Sequence, residues 1–140
     1  MNKLRLPRHF GTVPFDAVRP LLSPGGLQRA LREVPGARTV LCCALPYYVK
    51  SGPGNLSKYA RGRDYHDVMK ERLSAFCAEL RQRFGERYRS VVLVDASPIP
   101  EVCTAAMAGL GRIGHNGLLI TPEYGSYVFL GCILTDLALD

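Results

Sequence analysis

Six large apolar residues, Tyr65, Met69, Leu73, Phe76, Leu80 and Phe84, follow one another at steps of four, four, three, four and four. That spacing is one stripe of an α-helix. It predicts a long amphipathic helix near residues 64–84, with Asp64 able to cap its start and Gly85 able to end it. Glu71, Arg72, Glu79, Arg81 and Arg83 fall off the stripe, on or toward the wet face. A twenty-residue helix with a single apolar face needs a sheet or other helices to cover it, so the rest of the chain must supply that partner.

Two runs have the character of that partner. Thr39–Leu45 is continuously apolar between breakers, which suits a strand buried on both faces, and Ser90–Val94 is a second such run. Leu118–Ile120 and Tyr127–Leu134 read as two further strands, joined through Pro122, Glu123, Tyr124 and Gly125 as a hairpin. Upstream, Pro7, Pro14, Pro20, Pro24 and Gly25-Gly26 break the chain into short pieces, with helices near Phe15–Leu22 and Leu27–Glu33. Pro98 and Pro100 lead into a small-residue helix, Glu101–Ala108. The expected fold class is α+β (mixed α/β): one domain over 1–140, with about four strands in a mixed sheet flanked by helices and an antiparallel C-terminal hairpin.

Composition sets limits. At 47% hydrophobic and 21% charged, 140 residues can bury a real core, so disorder throughout is excluded. The odd count of five cysteines, with Cys42 and Cys43 adjacent, argues against a secreted disulfide framework, and no Cys-x-x-Cys spacing offers zinc or cluster ligands. Buried, reduced thiols are expected, and no metal ligand set is assigned. No apolar run approaches the ~20 residues of a membrane span, and the start lacks a signal-peptide core, so a cytoplasmic setting without a membrane partner is expected. Of 18 Lys and Arg, 17 lie at or before Arg89. Such a gradient suits steering of a polyanion such as RNA, and equally suits a solvated basic face.

Three stretches carry residues fit for chemistry. Asp95 directly follows an apolar strand, where a half-buried carboxyl can be held protonated near neutrality and donate a proton. The plain alternative is a carboxylate bonding the next turn of backbone. Gly109-Leu110-Gly111-Arg112-Ile113-Gly114-His115-Asn116-Gly117 allows close approach to a flat ligand, or serves as a tight connector. It is no dinucleotide loop, because a helix precedes it and a strand follows. Tyr59-Ala60-Arg61-Gly62-Arg63-Asp64-Tyr65-His66 places two arginines and a histidine at a helix start, able to hold phosphate or simply to stay solvated.

Read together, Leu45-Pro46-Tyr47, the segment 59–66, Asp95-Ala96-Ser97-Pro98-Ile99-Pro100-Glu101, Ala108–Asn116 and Tyr124–Gly131 resemble the epoxyqueuosine reductase family in order and spacing, over roughly residues 14–140. The resemblance implies a cobalamin-dependent oxidoreductase that reduces epoxyqueuosine to queuosine in transfer RNA, with electrons from two 4Fe-4S clusters. It implies Asp95 as proton donor. It implies a corrin cradle drawn from Tyr59, Arg61, Gly62, Asp64, Tyr65, His66, Ser97, Gly109, Gly111, Gly114, His115 and Asn116. The family's cysteine-rich cluster domain would begin just after Leu134-Thr135-Asp136, so clusters are expected from a further domain or a ferredoxin-like partner, and this chain alone is expected to be inactive. If such a domain packs on the apolar carboxy-terminal strand, that strand is exposed here and predicts self-association. Ala96-Ser97 stand where relatives carry Ser-Ala, Val102 where they carry arginine, and Arg112 and His115 where they carry tryptophan and lysine. The alternatives are a corrin- or RNA-binding module without chemistry, and a cobalamin-dependent reductase of another substrate.

Overall fold

A computed structural model describes residues 6, 9–46, 65–94, 98–115, 117–122 and 128–139; of Pro46, Tyr65 and His66 only the backbone is described. Strand β1 (Phe10–Pro14) leads into a short helix α1 (Phe15–Val18), a 3-10 turn (Arg19–Leu21) and helix α2 (Pro24–Glu33). Strand β2 (Thr39–Pro46), helix α3 (Tyr65–Phe84) and strand β3 (Ser90–Leu93) follow. Helix α4 (Glu101–Met107), strands β4 (Arg112–Ile113) and β5 (Leu119–Ile120) and the long strand β6 (Val128–Thr135) complete the order.

The main sheet runs β1-β2-β6-β3. The α+β class, the four-strand count and the long helix match the sequence expectation. The pairing differs from the expected mixed sheet, because every described pair is antiparallel. β2 and β3 do run the same way on either side of helix α3, but β6 inserts between them, giving a split β-α-β unit. A continuous apolar run reports burial on two faces and says nothing about strand sense. The expected C-terminal hairpin also differs. β5 pairs with β4 in a separate two-stranded sheet, with Ile113 opposite Leu119, while β6 joins the main sheet. The hairpin signal was Asn116-Gly117, which falls between β4 and β5.

β1 was hidden by the prolines around it. An edge strand tolerates a proline at its end, and Pro14 closes β1 opposite Thr39. Helix α2 starts three residues earlier than its apolar pattern suggested. Pro24 sits in its first turn and Ser23 Oγ accepts the Gly26 N–H at 3.0 Å, so residues read as breakers instead open a capped helix. Gly85 ends helix α3 as expected, with a φ of 108° and its N–H donating to the Arg81 carbonyl.

Alternation along β2 and β6 splits the core in two. Val40, Cys42, Cys132 and Leu134 face α1, α2 and α4, together with Val13, Phe15, Val18, Ala30 and Ala105. Leu41, Cys43 and Ile133 face helix α3 through Met69, Leu73, Phe76, Cys77 and Leu80. The expected stripe is thus the face of α3 laid on the sheet, and Phe76 stacks on Phe10 of β1 at 4.8 Å. The carboxy-terminal strand is not exposed, contrary to expectation. β6 lies between two neighbours and its residues from Gly131 to Thr135 are buried.

Four of the five cysteines are buried and Cys103 is exposed; all five are free thiols. Burial pushes the Cys43 thiol up to about 12, with the Arg72 guanidinium opposing, and Cys77 up to about 11, with Arg81 opposing. Below pH 9 both thiols stay protonated whether the chain is folded or not. As pH rises past 9 they ionise only in the unfolded chain, so their contribution to stability is lost progressively until the folded thiols titrate near 11 and 12. Thermal unfolding at pH 8 and pH 10 should show a fall in Tm. Cys43→Ala should make that fall smaller, corresponding to on the order of 1 kcal/mol less stability lost between the two pH values, since one pKa unit is worth about 1.4 kcal/mol; an identical fall in both proteins would exclude the thiol.

Candidate functional site

The sheet has one end where its connections converge. β2 leaves it at Pro46, β3 leaves it past Leu93, and β6 enters it at Val128, as the registers Pro46↔Val128 and Leu93↔Cys132 require. β3 is short, so among the described residues Val128–Gly131 pair only with β2. Val94, half-buried beside the α3 cluster, is the last described residue before Asp95. A sheet edge of this kind fixes the position of whatever side chain follows the strand.

Helix α4 crosses the opposite face of the sheet from this end. Its Thr104 Oγ1 donates to the Pro100 carbonyl at 2.8 Å, tying the helix to the proline-stiffened turn. At its far end Ala108 lies directly against Gly11 of β1, where a Cβ would collide with the Ala108 carbonyl. Beneath α4, Cys42 and Cys132 are register partners on β2 and β6, with sulfurs 3.4 Å apart. The Cys132 thiol is pushed well up by its hydrogen bond with Cys42, then by burial, with the Glu101 carboxylate adding to the effect. The Cys132 thiol is therefore held protonated and unreactive.

The glycine-rich stretch resolves into two devices. Gly109 (φ 83°) caps α4: its N–H donates to the Ala106 carbonyl at 3.1 Å and that of Leu110 to the Ala105 carbonyl at 3.1 Å, a Schellman motif. Beyond it the β4–β5 hairpin closes through Gly114 N–H to the Leu118 carbonyl at 2.9 Å and Gly117 N–H to the Gly114 carbonyl at 3.0 Å. The two ends of the stretch differ from its middle. At Gly109 and Gly117 an added Cβ would meet nothing, whereas at Gly111 it would strike the Ile120 carbonyl. Gly111 is thus required by the hairpin itself. Around these glycines stand Met107, Ile113 and Leu118, three of the four large apolar residues left exposed among the described residues.

Of the residues expected to form the site, Gly109, Gly111, Gly114 and His115 are brought onto this one connector, and His115 is exposed in its turn. Tyr65 and His66 open helix α3. Asp95, Tyr59, Arg61, Gly62, Asp64, Ser97 and Asn116 lie outside the described residues. Sequence reasoning missed the exposed trio Met107, Ile113 and Leu118; the alternation of apolar residues through the glycine stretch was the available signal. It also missed the Cys42–Cys132 pair, because a contact between strands 90 residues apart leaves no mark in spacing. Among the described residues no group of three or more His, Cys, Asp or Glu is arranged to hold a metal ion, and no helix is long and apolar enough to cross a membrane.

Comparison with known proteins decides the lineage. The family model described as "Epoxyqueuosine reductase QueG, DUF1730" matches residues 29–96. The epoxyqueuosine reductase of Gloeobacter violaceus is 45% identical over 119 residues, covering 81% of this chain and 37% of that protein. The chain belongs to the epoxyqueuosine reductase family. The fold of a member from Streptococcus thermophilus matches with a TM-score of 0.71 at 24% identity, covering 95% of this chain and 43% of that one. A second epoxyqueuosine reductase structure, solved with an epoxyqueuosine-modified tRNA-Tyr stem loop, matches at 0.69 and 24%, with coverage of 95% and 42%. This chain therefore spans about two fifths of the length of these family members.

Proposed function

We propose that this chain is the cobalamin-binding domain of an epoxyqueuosine reductase-like oxidoreductase, acting on epoxyqueuosine in tRNA. The observation that carries the reading is the placement of β3. β3 ends at Leu93, directed toward the sheet end where β2 leaves and β6 enters, and Asp95 follows two residues later in the sequence. The tRNA stem loop held by a structural relative supports tRNA as the substrate class. The glycine connector fits a broad, largely apolar macrocycle. Two of its glycines have open Cβ directions, and three apolar side chains beside them are otherwise left to water.

In this reading Gly109, Gly114, His115 and Asn116, with Ser97 and the segment carrying Tyr59, Arg61, Gly62, Asp64, Tyr65 and His66, would hold the corrin, while Gly111 keeps the hairpin closed against Ile120. Bound cobalamin would supply a nucleophilic, reducible cobalt centre, with electrons from 4Fe-4S clusters in a further domain or partner. Asp95 would deliver a proton to the departing epoxide oxygen. A carboxyl group set beside apolar surface is disfavoured in its charged form, which suits a proton donor at neutral pH. Met107, Ile113 and Leu118 would exclude water from the ligand's apolar edge. The reaction would take place in the cytoplasm, where the thiols stay reduced.

Titrating the chain with hydroxocobalamin and following the visible absorption bands tests the reading. Saturable spectral change, weakened by Gly109→Leu, which places a bulky side chain over the open face, is the expected result. An unchanged spectrum at concentrations where the chain is folded removes the corrin assignment.

A further inference from the structure

The opposite end of the sheet, roughly 25 Å away along the eight residues of β6, has a different character. Arg38 and Arg89 immediately precede β2 and β3, whose first residues Thr39 and Ser90 both register against Thr135 of β6. The Arg38 N–H donates to the Thr135 carbonyl at 2.9 Å. The Arg89 N–H donates to Asp136 Oδ1 at 2.8 Å, and the Asp136 N–H returns to the Arg89 carbonyl at 3.2 Å. Both arginine backbones are thereby pinned on either side of the same strand, two strand spacings or about 10 Å apart.

More guanidinium groups gather beside them. Arg38 and Arg19 border a cleft of about 470 Å³ with Phe15, Asp16 and Leu31 among its walls. The Arg87 guanidinium lies over the Tyr88 ring at 4.7 Å and donates to its hydroxyl at 2.7 Å, and Arg83 lies over the Phe84 ring at 5.6 Å. Arg32 and Arg81 lie in the same segments, and all seven arginines are exposed. Four carboxylates share these segments: Asp16 in the cleft, Glu33, Glu86, and Asp136, which is engaged with the Arg89 N–H. The cations exceed the anions, and every one of them is arginine rather than lysine. A guanidinium offers a planar fork that matches a phosphate oxygen pair and stacks on rings, which a lysine ammonium does not.

We propose that this arginine end is a second, sequence-independent RNA-binding surface that grips the phosphate backbone away from the reacting nucleotide. The choice of RNA as the polyanion rests on the function proposed above; the arrangement of the arginines does not. The ring-stacked guanidiniums of Arg83 and Arg87 lose less freedom on meeting a phosphate than free side chains do, and the pinned backbones of Arg38 and Arg89 fix where their side chains start, so contacts there retain more of their electrostatic gain. The surface would add affinity for any RNA stem of suitable length and leave recognition of the modified base to the other end.

The test is fluorescence anisotropy with a short, unmodified RNA hairpin across a series of salt concentrations, with no corrin added. Because the probe carries no epoxyqueuosine, its outcome is independent of whether cobalamin binds. The wild-type chain should bind with strong salt dependence. The variant Arg38→Ala/Arg89→Ala keeps its backbone hydrogen bonds; it should bind about tenfold or more weakly and flatten the slope of log K against log salt by about 1–2. Thermal unfolding checks that this variant is folded. Gln28→Ala, at an exposed, uncharged position of helix α2, should change neither quantity appreciably. A folded double variant with unaltered affinity and slope, a Gln28→Ala loss as large as that of the pair, or a wild-type chain that does not bind the hairpin would overturn the proposal.

Discussion

Asp95→Asn is expected to lower turnover of epoxyqueuosine by a factor of about 10²–10⁴, the usual worth of a positioned proton donor. The assay requires the chain together with its electron-delivering clusters. Asparagine keeps the volume and the polarity of the side chain but carries no acidic proton, so the leaving oxygen would depart without one. Cobalamin binding, read from the visible spectrum, should be unchanged, because the variant leaves the glycine connector intact. The split between the two readouts gives the experiment its force. A loss of both would mean that residue 95 shapes the pocket, and full turnover would remove it from the mechanism.

Gly131→Val is expected to cost about 3 kcal/mol or more of folding stability, a large part of the 5–15 kcal/mol typical of a whole domain. Gly131 sits in the middle of β6, under helix α3. A Cβ there would lie 2.7 Å from Met69 Cγ, 2.9 Å from Leu73 Cδ1 and 3.0 Å from Met69 Sδ. Both neighbours are completely enclosed, at 1% and 0% exposure, so neither has space to retreat into. Glycine in a strand is ordinarily a weakness, and replacing it usually helps the sheet. Here the absent side chain lets the helix lie directly on the strand. Urea unfolding should therefore place Gly131→Ala at a smaller cost, about 1–3 kcal/mol, and valine beyond it. An unchanged midpoint for valine would mean that α3 does not rest on β6 in solution.

Gly131 also shows why only part of the structure was legible. The helix stripe from Met69 to Leu80 announced both the length of α3 and the face it buries, because a 3.6-residue period is a local property of the chain. The run Thr39–Leu45 announced a strand covered on both sides, and β2 is covered by α3 on one side and by α4 and its neighbours on the other. Nothing local marked Gly131 as a packing position, since its partners lie some sixty residues upstream. β1 was illegible for a related reason: a short edge strand bounded by prolines has too few residues to show alternation. The hairpin partner was misread because β5 is only two residues long, and adjacency in sequence favoured β6 where a turn signal pointed to β4.

The candidate site divides in the same way. Sequence order and residue type sufficed to single out Asp95 and the glycine stretch, because the family pattern is written in consecutive residues. The division of that stretch into a helix cap at Gly109, an obligatory close approach at Gly111 and an open turn at Gly117 required coordinates. The sequence by itself determined the long helix α3, the central strand β2 and the faces they must hide, since these follow from periodicity and from long apolar runs. Only the tertiary structure decided that β6 enters between β2 and β3, that Cys42 meets Cys132, and that Arg38 and Arg89 flank one strand end. Those are contacts between residues tens of positions apart. Their register is set by how two apolar faces and a helix fill space together, and no single stretch of chain carries that information.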